Sequence, residues 1–301
     1  MSFLFPVFAV SIWAANAVIS KLATGVIEPG AIAFYRWFFA LLILLPFCIK
    51  VVWQQRHLIG KHLIKLTVLA SLGMVLNQCL AYYAAHTTSA TNISVFLSLM
   101  PLFGLFLAVP ILGSPLQKKA LFGAFISFSG LIFMLSEGQP MSLVVNGVKQ
   151  GDGLMLISSL AYALYSILLN KWKLPLKPWT SVFCQVVIGT VLQLPLLLVS
   201  DSYTIVTDAW PMVLFAAAFA SVIAPWCWLK GVQKIGSSNA TLFMNLVPIV
   251  TVLINFLFLG LSPTMYHVVG GSGVLIGLLI AQVKLPSIES LQILKWRNIR
   301  V

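Results

Sequence analysis

Three observations predict an all-α integral membrane protein of ten transmembrane helices, built as two inverted five-helix repeats. Of the 301 residues, 60% are hydrophobic and only 8% are charged, and the mean hydropathy is +1.02. The apolar residues gather into ten runs of roughly the length that crosses a bilayer. The basic residues fall almost entirely into every second spacer between those runs.

A soluble globular domain carries roughly 25% charged residues, because its surface must be wetted. A surface with so few charges faces lipid. The net charge of +12 could suggest nucleic acid. However, basic residues that bind nucleic acid cluster on one solvated face, and here they sit in short spacers, as Lys and Arg do in cytoplasmic loops. The partners this composition implies are a lipid bilayer and a small-molecule solute, with no nucleic acid.

A spanning helix needs about 20 mostly apolar residues. The runs are 3–23, 31–52, 63–84, 89–112, 118–135, 153–170, 179–200, 209–231, 237–260 and 266–283. The first has neither a basic n-region nor a small-residue cleavage site, so it reads as a retained helix and not as a signal peptide. With a cytoplasmic N-terminus, Lys50, Arg56, Lys61 and Lys65 lie inside, as do Lys118 and Lys119, Lys171, Lys173 and Lys177, and Lys230 and Lys234. Lys284, Lys295, Arg297 and Arg300 mark an inside C-terminus. That places 15 of the 18 Lys and Arg on one side, leaving Lys21 and Lys149 outside and Arg36 within helix 2. A multi-pass protein of a bacterial cytoplasmic (inner) membrane, with both termini cytoplasmic, is the expected placement.

The halves repeat. At an offset of 149, Pro29, Arg36 and Pro46 match Pro178, Gln185 and Pro195. At an offset of 147, Asn92, Pro101, Gly113, Gly123 and Gly130 match Asn239, Pro248, Gly260, Gly270 and Gly277. Five helices is an odd number, so the second half enters the membrane inverted. The expected division is a first repeat over 1–138, a periplasmic connection over 139–152, a second repeat over 153–285 and a cytoplasmic tail over 286–301. Inverted repeats place a solute site near the midplane between the halves and support alternating access.

These features resemble the EamA-type branch of the drug/metabolite transporter superfamily. The resemblance rests on the paired strings SATNISVFLSLMP and SSNATLFMNLVP, each followed by an apolar run ending in LG, and on Arg36 in AIAFYRWFFALLILLP. It spans about residues 1 to 285. It implies export or exchange of a small metabolite, most often an amino acid or a relative; the alternative is a nucleoside-like cofactor such as S-adenosylmethionine. Family members often carry an acid after the LG of helices 4 and 9, where this chain has Ser114 and Leu261.

None of the six acids, Glu28, Glu137, Asp152, Asp201, Asp208 and Glu289, lies deep in a run. Proton-coupled carriers commonly use a membrane-buried carboxylate, so the expectation is a facilitator or exchanger without an obvious one. Arg36 is the charge within a run: it either meets a substrate carboxylate or snorkels to the interface or to neighbouring carbonyls. Further cavity candidates are Trp13 and Asn16 on helix 1, Gln78 and Tyr82 on helix 3, Tyr162 and Tyr165 on helix 6, and Trp226 after Pro225 on helix 8. Asn92 and Asn239 stand at matching starts of helices 4 and 9. Spacings of three or four put each pair on one helix face. Such residues could wall a pocket for a small amphipathic solute, or serve as interfacial aromatics and interhelical amides.

Pro101 and Pro248 are hinge candidates. Gly273 and Gly277, with Gly123 and Ser127, are small-residue spacings that pack helices within a monomer or across a homodimer. Cys48, Cys79, Cys184 and Cys227 form no metal spacing, and no catalytic motif, cofactor fingerprint or metal set is present, which argues against an enzyme. A channel or membrane scaffold is the remaining different-class reading.

Overall fold

The computed structural model describes residues 3–115 and 118–282. The predicted tail, 286–301, and the side chain of Asn239 lie outside the described residues. Among the described residues ten long helices follow one another, with short helices at Arg56–Lys61 and Met141–Asn146 between them: α1 Leu4–Leu22, α2 Pro29–Gln54, α3 Leu63–Ala84, α4 Ala90–Leu112, α5 Lys118–Leu135, α6 Gln150–Trp172, α7 Pro178–Leu198, α8 Thr207–Ile235, α9 Ala240–Leu259 and α10 Met265–Gln282. Among the described residues, α1 to α9 are long and apolar enough to cross a membrane, and α10 is apolar over Met265–Ala281. The perimeter is greasy, with Phe47, Phe125 and Phe258 more than 70% exposed. That is the arrangement expected where lipid, not water, is the outer solvent.

Helix boundaries repeat between the halves for the same local reasons. α2 and α7 each start on a proline, Pro29 and Pro178, behind an extended residue. Proline's missing N–H is harmless at that position, and its fixed φ suits a first turn. α4 and α9 both end on a left-handed glycine, Gly113 (φ 68) and Gly260 (φ 65), the position for which a residue without Cβ is favoured.

The halves interlock. α2 packs along α7, α5 along α10, α1 against α8 and α9, and α6 against α3 and α4. The α5–α10 crossing brings backbone against backbone. Gly123 faces the backbone of Gly277, and Gly130 faces that of Gly270. A Cβ on Gly130 would stand 2.6 Å from the Gly270 carbonyl oxygen. Ser127 Oγ donates to the Val274 carbonyl at 3.0 Å between them. Adding 147 to one partner of the Gly123–Gly277 contact and subtracting it from the other yields Gly270–Gly130, while Ser127–Val274 maps onto itself. The contact therefore carries a local two-fold axis of the kind inverted repeats generate. The glycine stripe is consumed within one chain and does not form a free face for a second copy.

Each half also contains a stretch in which the helix widens to i→i+5 hydrogen bonding: Ser71–Leu76 in α3 and Phe215–Ile223 in α8. Such widening frees carbonyls from the regular ladder. Indole N–H groups take them up. Trp37 Nε1 donates to Met74 O at 3.2 Å, joined there by Gln193 Nε2 at 3.2 Å, and Trp13 Nε1 donates to Ala220 O at 3.3 Å. The prolines expected to act as hinges, Pro101 and Pro248, lie inside α4 and α9, the latter just after a tightened turn at Phe243–Asn245. The i→i+5 discontinuities lie instead in α3 and α8.

One expectation is corrected here. Asp152 is buried, at 1% exposure. α6 begins at Gln150, a turn before its apolar run, and tucks this carboxylate under the α3–α4 turn. There it accepts hydrogen bonds from the Thr88 hydroxyl and from Asn92 Nδ2, the latter at 3.1 Å. The bundle does hold an internal carboxylate, placed as a staple between α6 and α4. Asp152→Ala leaves two buried donors without an acceptor, and each such loss costs about 1–3 kcal/mol. The melting temperature of the purified protein should fall clearly, and less for Asp152→Asn, which keeps one carbonyl oxygen. A variant that melts like the parent would show the staple to be idle.

Candidate functional site

Arg36 organises the interior. It sits two turns into α2 and is 2% exposed. Its Nε donates to Ser221 Oγ on α8 at 2.6 Å, and its Nη1 donates to Gln78 Oε1 on α3 at 2.6 Å and to Tyr82 Oη at 3.4 Å. Its guanidinium carbon stands 5.1 Å from the Trp37 ring centroid. Snorkelling is ruled out, because the charge points between helices. All these acceptors are neutral. Among the described residues no carboxylate meets Arg36, and the ion pair found there, Lys149–Glu137, lies in the α5–α6 connection.

The polar group extends across the bundle. Gln78 Nε2 donates to Asn77 Oδ1 at 2.8 Å, and Asn77 Nδ2 donates to Ser158 O and Oγ on α6 at 3.1 Å. Ser158 Oγ returns a bond to Asn77 O at 2.8 Å. Four helices, α2, α3, α6 and α8, are thus tied in one chain of hydrogen bonds. Ser221 is doubly used: it accepts from Arg36 and donates to Ala216 O at 2.8 Å, five residues back within the widened stretch.

Aromatic residues flank this chain in a repeat-related way. Trp13 of α1 bonds Ala220 of α8 and lies 5.5 Å from the Trp228 ring. Tyr165 of α6 lies on Gly73 of α3, where an added Cβ would come within 2.9 Å of its ring, and its centroid is 5.3 Å from that of Tyr162. Gly73 and Ala220 differ by 147, while the contacting aromatics, Trp13 and Tyr165, differ by 152, one helical turn off the 149 offset that pairs Trp13 with Tyr162. Each half's first helix therefore sets an aromatic side chain near the widened segment of the other half. Charge breaks the symmetry. The repeat mate of Arg36, Gln185, is buried and donates to Ser181 Oγ at 3.0 Å, and its Oε1 has no partner among the described residues.

Of the candidates, Arg36, Gln78 and Tyr82 meet directly, Trp13 reaches α8 at Ala220 beside Ser221, and Tyr165, with Tyr162 against it, lies on Gly73 of α3. Asn16, a turn beyond Trp13, has a buried Oδ1 without a partner among the described residues. The remaining candidates do not join them. Trp226 is 43% exposed and packs edge-on against Phe5 at 5.9 Å. Asn92 is drawn to Asp152 near the Lys21 end of the bundle. Sequence reading missed Ser221, Asn77 and Ser158. A serine or asparagine in an apolar run was the available signal, but nothing local told these apart from ordinary interhelical amides and hydroxyls.

The sequence pattern of the EamA-like transporter family matches residues 1–136 and again residues 149–282. The uncharacterized transporter YyaM of Bacillus subtilis (strain 168) is 26% identical over 274 residues, covering 89% of this chain and 90% of the relative. An uncharacterized transporter of Archaeoglobus fulgidus is 26% identical over 279 residues, covering 91% and 94%. A solved crystal structure superposes with a TM-score of 0.62 at 16% identity over 94% of this chain and 99% of that one, a likeness of fold alone.

Proposed function

Starting from the chain's membership of the EamA-like transporter family, within the drug/metabolite transporter superfamily, we propose that it carries a small carboxylate-bearing metabolite, an amino acid or a relative, by alternating access. Arg36 is the anion site in this reading. The chain is a multi-pass membrane transporter and not an enzyme; the finer statement rests on one observation, a buried guanidinium held only by neutral acceptors. An uncompensated charge inside a membrane protein is costly, and a carboxylate offering a bidentate pair is its best partner. Engaging such a ligand would draw Arg36 from Ser221 on α8 and Gln78 on α3, the two helices that carry the widened stretches. A nucleoside-like cofactor with a carboxylate is the second reading, favoured by the Tyr162–Tyr165 pair as a stacking wall. We place both termini on the cytoplasmic side of a bacterial inner membrane, from the basic loops. Lys177 N bonds Gln55 Oε1 and Lys65 overlies Trp172, which draws the α2–α3 and α6–α7 loops to one end.

Counterflow tests this. Purified protein in vesicles preloaded with unlabelled amino acid should accumulate the labelled compound transiently and saturably. A carboxamide analogue should compete at least tenfold less well, the worth of one charge-assisted contact. Non-saturable flux without counterflow would indicate a channel, and equal competition by the carboxamide would remove Arg36 from the reading.

A further inference from the structure

At the end of the bundle opposite the N-terminus, two adjoining hollows of about 270 and 190 Å³ share Lys21, Ser89 and His267. They form one cleft over the first turn of α4, between the ends of α1 and α9 and the start of α10. Asn92 and Asn255 line it, one in each hollow. Both are more than nine-tenths buried, at 9% and 8% exposure. Each is tethered by its nitrogen: Asn92 Nδ2 to Asp152 Oδ1 at 3.1 Å, and Asn255 Nδ2 to Thr91 Oγ1 at 3.4 Å. Each leaves a buried Oδ1 with no donor among the described residues. The Nδ2 of each amide is engaged, so its Oδ1 is the end left open. Two buried acceptors therefore await N–H donors, and such orphaned groups cost about 1–3 kcal/mol each.

The same cleft also carries donors, because Asn92 and Thr91, the partner of Asn255, stand in the first turn of α4 itself. Lys21 Nζ donates to Ala85 O at 2.7 Å, which leaves two of an ammonium's three donors to spare. The N-terminus of the 23-residue α4, capped by Ser89, adds a partial positive charge. At the rim, Lys149 holds the Glu137 carboxyl below its usual pKa through a 2.7 Å hydrogen bond. Behind Asn92 lies Asp152, whose carboxyl already accepts from the Asn92 amide and the Thr88 hydroxyl.

We propose that this cleft is a second binding site, separate from Arg36, for a zwitterionic solute. The ammonium goes to Asn92 and Asn255, and the carboxylate goes to Lys21 and the start of α4. The inference draws its transport meaning, a station where solute waits at the mouth of the carrier, from the function proposed above. Its test does not.

The probe is L-alanine, the smallest chiral α-amino acid, with propionate and ethylamine as single-charge fragments. Binding to the purified full chain in nanodiscs is followed by saturation-transfer NMR, both in the parent and in Arg36→Gln, which silences the central site. L-Alanine should still bind Arg36→Gln. Adding Lys21→Gln or Asn255→Leu should weaken it at least fivefold, and each fragment should bind at least fivefold more weakly than alanine, the scale of one lost charge-assisted contact. Melting temperatures identify any variant that fails to fold, and Lys21→Gln in the parent background then serves in its place. Absence of alanine binding at about 10 mM, where millimolar affinities are visible, would leave the cleft to water and overturn the proposal. So would alanine binding unaffected by both cleft variants, or propionate binding as well as alanine. Failure of the Arg36 reading is a separate result: counterflow unchanged in Arg36→Gln.

Discussion

Arg36→Gln should slow counterflow by about ten- to a hundredfold while leaving the melting temperature nearly unchanged. Charge-assisted hydrogen bonds contribute about 1.5–3 kcal/mol, and 1.4 kcal/mol is a factor of ten. The fold should tolerate the change because Arg36 holds no counter-charge, and removing an unpaired buried charge relieves its desolvation cost. Glutamine can still donate toward Ser221 and accept from neighbours, so few partners of Arg36 are orphaned. Arg36→Lys separates charge from shape. An ammonium keeps the charge but cannot present the planar two-pronged fork, so an intermediate rate is expected. Initial rates against external solute concentration, measured beside melting curves, check all of this. A Gln variant that melts early and transports poorly would make Arg36 a structural strut, not a solute contact.

The largest effect on stability is expected at the α5–α10 crossing. Gly123→Ala puts a Cβ against the Gly277 carbonyl and 2.7 Å from the Ala281 nitrogen. Both are backbone atoms on a helix that cannot give locally, so the helices must separate along much of their length. Overpacking typically costs about 1–3 kcal/mol, and loss of contact along a whole membrane helix pair places this at the upper end. Gly270→Ala, the symmetric counterpart, puts a Cβ 2.7 Å from the Gly130 carbonyl oxygen and should cost about the same. Gly104→Ala in α4 meets nothing within 4 Å and is the control, expected to be neutral. The double variant Gly123→Ala/Gly277→Ala should fall well short of additivity, because the first methyl has already parted the helices. Thermal unfolding in one detergent checks the series, and additive losses would mean that the two glycines sit in independent environments.

Much of the architecture could be read before any coordinates. Length and hydropathy gave the spans to within a few residues, because a bilayer tolerates little else. The Gly113/Gly260 and Pro29/Pro178 pairs marked repeat-related helix ends, since those residue types answer a local backbone need. The site was only partly legible. Arg36, Gln78 and Tyr82 stood out as polar residues in apolar runs. Ser221 did not, because its importance comes from a carbonyl five residues back and a guanidinium 185 positions away. The widened stretch of α3 has no proline signature, and SLGMVL reads as plain helix; that of α8 is followed by Pro225, which by itself marks a kink and not its form. Asp152 reads as the last residue of the 139–152 connection, because its partners, Thr88 and Asn92, lie at least 60 residues earlier.

The interlocked packing has a consequence for how the chain is made. During synthesis α1 to α5 leave the ribosome first, yet α2 packs along α7, α5 along α10, and α1 against α8 and α9. The glycine face of α5 has no mate until the last helix is inserted. A nascent first half would therefore rest in the membrane as a loose set of helices with its backbone-to-backbone crossing open, and assembly would finish only when α10 arrives. Truncation before α10 would leave a chain that is inserted but unassembled, a substrate for membrane quality control and not a smaller carrier.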